Sequence, residues 1–255
     1  MLIFQRFTPY WTTGVVMLCL ALLVKYPQGW LAYLVIVILV PISAIMIMRQ
    51  PRWRFEYIGL SVPMILLVVG GYTFLLIQST LWLQVAAVLC TGIFFFLFEK
   101  NLAVWLFQPN KYIPFSMEHI SIYCNVVASF YTYVSLFMFS ILRLTQLRYI
   151  FIATLLVTTA LVGQTFWIQK IPWVKAKWFV LVITVVMTQL VVVLYYWPVS
   201  FFVTGIIMTL LLYVLLHLSR HHLTETLTKQ LVWRYLLTCG LGLILLLATA
   251  QWLYV

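Results

Sequence analysis

Residues 118–143 read EHISIYCNVVASFYTYVSLFMFSILR. The run is long and apolar enough to enter a bilayer, whose core of about 30 Å takes about 20 residues of helix. Yet polar residues recur along it. At about 100° per residue, Ser121, Asn125, Ser129, Thr132, Ser140 and Arg143 all fall within about 60° of Glu118. One face of the helix therefore carries polar groups through most of a membrane's depth. The opposite face carries Tyr123, Val127, Val134 and Met138. Polar groups in hydrocarbon lose their water, so the striped face belongs against other helices or a wet cavity. The segment predicts a central helix in an all-α, polytopic integral membrane bundle.

Composition places the rest of the chain around it. Of 255 residues, 65% are apolar and 7% are charged, and the mean hydropathy is +1.12. A soluble domain carries about 25% charged residues, so there is too little polar surface here to cover a water-facing globule. The formal net charge of +11 does not imply nucleic acid in such a chain, because basic residues collect in cytoplasmic loops of membrane proteins. Asp is absent, and the four acidic residues are Glu56, Glu99, Glu118 and Glu225. Cys19, Cys90, Cys124 and Cys239 lie in hydrophobic runs without CxxC spacing, so they read as small buried hydrophobes rather than as zinc ligands or a redox pair.

Apolar runs bounded by charges and turn formers predict about nine transmembrane helices. They lie near residues 10–26, 30–48, 57–78, 81–98, 120–142, 149–169, 178–197, 199–217 and 235–254. The first lacks a small-residue cleavage site and is followed at once by another span, so it reads as a retained helix. Turns at 26–29, 78–80 and 197–200 are short enough to make their flanking helices antiparallel neighbours. With a cytoplasmic N-terminus, the inner segments hold Arg6, Arg49, Arg52, Arg54, Lys100, Lys111, Lys170, Lys175, Lys177, Arg220, Lys229 and Arg234. The outer segments hold Lys25, Arg143 and Arg148. That bias of twelve to three sets the orientation by the positive-inside rule. The whole of 1–255 reads as a single transmembrane domain with no soluble domain. The connection 99–119 has a short apolar core, LAVWLF, and is expected to be a cytoplasmic interfacial or re-entrant segment. The two halves show no repeat of the kind inverted-repeat transporters carry.

Two candidate sites follow. The first is a groove for a polar ligand or lipid headgroup lined by Glu118, Ser121, Asn125, Ser129 and Thr132, with Arg143 and Arg148 as anion contacts at its outer end. The alternative for the same stripe is hydroxyl glue between helices at about 0.6 kcal/mol per contact. The sixth run carries a thinner stripe of Thr154, Thr158, Thr165 and Gln169 that is expected to pack against it. The second candidate is HLSRHHLTE (217–225), where His217, His221 and Glu225 share a face if the helix continues, a spacing that can hold a metal. Its HxxxHH pattern resembles one histidine box of membrane desaturases and hydroxylases, but four histidines in the whole chain are too few for the di-iron centre of that family. The bland reading is a basic helix end at the headgroups.

No mid-membrane Asp, Glu, Lys or Arg is expected in the bundle core, which counts against ion-coupled transport, and no cofactor motif is present. The expected function is that of a non-enzymatic membrane component, a subunit, assembly factor or scaffold of the plasma (inner) membrane. Its partners would be the lipid bilayer and other membrane subunits, with no nucleic acid. The alternatives are a passive or partner-driven transporter or lipid handler using the fifth-helix groove, and an intramembrane enzyme using Glu118, His119 and the histidine face.

Overall fold

The structure, a computed structural model, describes residues 2–48, 56–142 and 144–250. Among these residues the chain forms nine α-helices: α1 (Leu2–Lys25), α2 (Trp30–Met48), α3 (Glu56–Ile77), α4 (Leu81–Phe107), α5 (Ser116–Ile141), α6 (Leu147–Ile168), α7 (Trp173–Tyr195), α8 (Phe201–Leu223) and α9 (Lys229–Thr249). Each contains a stretch long and apolar enough to cross a membrane. The protein is a multi-pass membrane protein with an all-α architecture.

Helical structure follows from the solvent. Lipid offers the backbone no hydrogen-bond partner, so each span must satisfy its N–H and C=O groups within itself. Pro9, Pro41 and Pro63 therefore sit inside α1, α2 and α3 without ending them. Large apolar side chains face outward, among them Leu39, Leu156 and Leu245, as hydrocarbon allows. Exposed Trp82 and Trp173 stand in the first turns of α4 and α7, and exposed Trp233 in the second turn of α9, where amphipathic rings suit a membrane–water boundary.

Where the sequence reads as a single transmembrane domain, the chain divides into two compact units, Met1–Tyr131 and Thr132–Val255. The boundary falls inside α5. In the first unit α1 packs on α2 and α4, and α3 packs on α2 and α4, around buried Val16, Leu20, Leu67, Val68, Phe95 and Phe98. Tyr72 anchors α3 to the start of α2, its hydroxyl donating to the Trp30 carbonyl at 2.6 Å. In the second unit α7 packs on α6 and α8, and α9 lies on α8, with Ile150, Leu161, Phe166, Met187 and Met208 buried.

One connection differs from the sequence reading. LAVWLF is not a separate segment; α4 runs through it unbroken to Phe107. Glu99, Lys100 and Asn101 look like a loop because they are polar, but none of them breaks a helix. The Asn101 carboxamide caps back onto its own helix, donating to the Leu97 carbonyl at 2.8 Å. The first residue that cannot continue the ladder is Pro109, in the 3-10 turn Pro109–Lys111.

Candidate functional site

The striped helix forms as the periodicity predicts, and its stripe faces protein. Ser121, Asn125 and Ser129 are all buried, and Thr132 and Ser140 are half-buried. The Ser129 hydroxyl donates to the Val126 carbonyl of its own helix at 2.8 Å. The face opposite is not uniformly open either. Val134 is buried, whereas Tyr123 is exposed. α5 is thus enclosed on most of its circumference, more central than a polar stripe alone requires.

Each half of α5 has its own packing. In the first unit the Cys124 thiol meets the Phe94 carbonyl at 3.6 Å, the Tyr131 hydroxyl donates to the Ala87 carbonyl at 3.4 Å, and Phe74 lies against Phe130 and Tyr131. In the second, Tyr133 is fully buried and shares a 2.9 Å hydrogen bond with Thr158 of α6. The thinner stripe on α6 therefore does meet α5, through a tyrosine at the edge of the polar face. Thr154, Thr158 and Thr165 are buried, and Thr165 bonds back to Leu161.

At the start of α5 the chain turns through Phe115, whose φ of 67° lies in the left-handed region. This turn brings Tyr112 over the first helical residues. Its hydroxyl donates to Glu118 Oε2 at 3.2 Å and accepts the Met117 N–H at 3.3 Å. Burial raises the Tyr112 phenol above its ordinary range, and the negative charge of Glu118 adds to that rise. Glu118 is therefore tied to its own turn. At the other end, Arg148 is exposed on the first turn of α6, its guanidinium 4.8 Å from the Tyr149 ring centroid. Arg143 lies outside the described residues.

The histidine segment departs from its expected geometry. α8 stops at Leu223 because a Schellman closure ends it: the Thr226 N–H donates to the His221 carbonyl at 2.9 Å, and the Glu225 N–H to the His222 carbonyl at 3.2 Å. Glu225 takes the left-handed position with φ 58°, so it leaves the face that His217 and His221 share. His217 Nδ1 instead meets the Tyr235 hydroxyl of α9 at 3.2 Å, with the two rings stacked. His221 Nδ1 meets Thr226 Oγ1 at 2.8 Å. Among the described residues no three His, Cys, Asp or Glu side chains gather to hold a metal ion. The expected His217–His221–Glu225 set is therefore not gathered in this structure. No glycine marks the closure, so the sequence carries no signal for it.

Sequence reasoning missed Glu99. Placed at the end of a span, it reads as a headgroup residue; in the structure it is fully buried, well inside α4. Thr12 of α1 donates its hydroxyl to Glu99 Oε2 and is itself buried. A carboxyl group is thus buried in the packed interior of the first unit, a burial that the expectation about mid-membrane charges did not anticipate. The available signal was the lack of any helix breaker between Glu99 and Gln108.

A family model described as "Protein of unknown function (DUF5656)" matches residues 28–249. The match covers most of the chain, which belongs to that family. No curated protein and no solved structure matches the chain.

Proposed function

We propose that this member of the DUF5656 family is a non-enzymatic component of the plasma (inner) membrane, a helical bundle that works together with partner membrane subunits. The carrying observation is the burial of Ser121, Asn125 and Ser129. A headgroup groove needs its polar lining open to a ligand, whereas this stripe is packed. The excess of basic residues in the inner segments supports a cytoplasmic N-terminus. α9 supports the partner reading, since Cys239 is the one buried side chain among its described residues. A helix that contributes so little to its own chain's interior leaves an apolar surface for lipid or for another subunit.

Native mass spectrometry of protein released from lipid nanodiscs tests the reading. The expected spectrum retains a partner chain at fixed stoichiometry. A bare monomer overturns it, and a lipid retained at fixed stoichiometry without any partner transfers the function to lipid handling by the stripe.

A further inference from the structure

Glu99 has a bonding pattern that packing alone does not account for. Its Oε2 accepts from Thr12, while its Oε1 is buried and has no hydrogen-bond partner. The residues one turn away on α4, Phe95 and Leu102, are 0% and 1% exposed. Phe107 ends the helix 8 residues further on, about 12 Å along the axis at about 1.5 Å per residue. A carboxyl group there is shielded from bulk water, and an isolated charge in such a place is costly unless a cation joins it.

Among the described residues, the surrounding elements supply no such cation. On α1, Tyr10 and Lys25 are exposed and Cys19 is buried elsewhere along the helix. On α3, the Tyr72 hydroxyl is committed to Trp30. On α4, Cys90 lies more than two turns away, and the exposed Lys100 holds its Nζ 5.8 Å from the Phe96 ring centroid. Lys111, beyond the end of α4, is exposed, and Cys124 of α5 is engaged with Phe94. Among the described residues, none of these groups bonds Glu99.

The occupant is limited by ligand count and space. A hard metal ion asks for about six oxygens, and here the Thr12 hydroxyl, with the Thr8 carbonyl 2.7 Å behind it, accompanies one carboxyl. An organic ammonium would need room that Phe95 and Leu102 fill. A proton needs neither. We propose that Glu99 is an exchangeable proton-binding site inside the first unit. Oε1 takes a proton from hydronium, forming an O–H bond and leaving water; release returns the proton to water, while Oε2 stays against the Thr12 hydroxyl, whose single proton the Thr8 carbonyl also reaches at 2.7 Å. Carboxyl groups inside membrane helices serve proton pathways in this way, and the site adds to the bundle a function that the partner-subunit reading does not require.

Infrared difference spectroscopy on the intact protein in nanodiscs tests it. The expected result is a carboxylic-acid carbonyl band that is lost in Glu99→Gln and shifts when H2O is exchanged for D2O. Should Glu99→Gln fail to fold, Glu99→Asp assigns the same band by moving it. Absence of the band, or a band that keeps its position in D2O, overturns the proposal. Loss of the band on adding sodium or calcium at constant pH also overturns it, by making the site a metal-ion site.

Discussion

A methyl group has no room at Gly205. A Cβ built there would stand 2.3 Å from Val134 Cγ2 and 3.0 Å from the Val134 backbone nitrogen, and backbone does not swing aside as a flexible side chain does. Gly205→Ala is expected to lower stability by about 1–3 kcal/mol, the usual cost of overpacking. Gly163, with nothing within 4 Å of its would-be Cβ, is the control, and Gly163→Ala should leave thermal unfolding in detergent unchanged or raise its midpoint. An equal response of both glycines would mean that α5 and α8 do not approach closely at Val134. Tyr112 gives a second prediction. Its phenol titrates above its unfolded value of 10.0, so its contribution is fully present below that pH and is lost as pH rises through the folded value. Melting midpoints should fall at alkaline pH beyond 10.0, and Tyr112→Phe should make that fall shallower. Identical alkaline profiles for the two proteins would remove the Tyr112–Glu118 contact from consideration.

At the scale of the helix, continuity distinguishes α4 from its sequence reading. A continuous helix keeps each amide hydrogen in an i to i−4 bond, whereas an interfacial segment starting at Glu99 would leave several without partners. Hydrogen exchange of the protein in nanodiscs should show the amides of Ala103–Phe107 protected to a degree similar to those just before Glu99. A sharp rise in exchange beginning at Glu99 would restore the separate segment. α5 teaches the complementary point. Its polar face was legible from spacing, because period is a local property of the chain. The burial of Val134 on the opposite face was not legible, since an apolar side chain suits lipid and protein equally well.

For the whole molecule, the distribution of Lys and Arg makes a direct forecast of threading. Ser79 and Asn110 are both exposed, at opposite ends of α4. With an inner N-terminus, Ser79→Cys should react with an impermeant maleimide added outside intact cells, and Asn110→Cys should react only after lysis. The native cysteines are buried or half-buried, which keeps the background low. The reverse labelling pattern would invert the entire threading.

By itself, the sequence determined the membrane class, the number of spans and the striped helix. All three rest on composition and on periodicity within one segment, and lipid enforces helical pairing within each segment. Tertiary structure alone decided the fates of two glutamates. Glu99 is inside because α1 brings Thr12 to it from 87 positions away in the chain, and no local pattern records which helix lies opposite. Glu225 is outside because two backbone hydrogen bonds close α8 just before it, a choice made by carbonyls and amides that every residue carries and that side-chain identity does not announce.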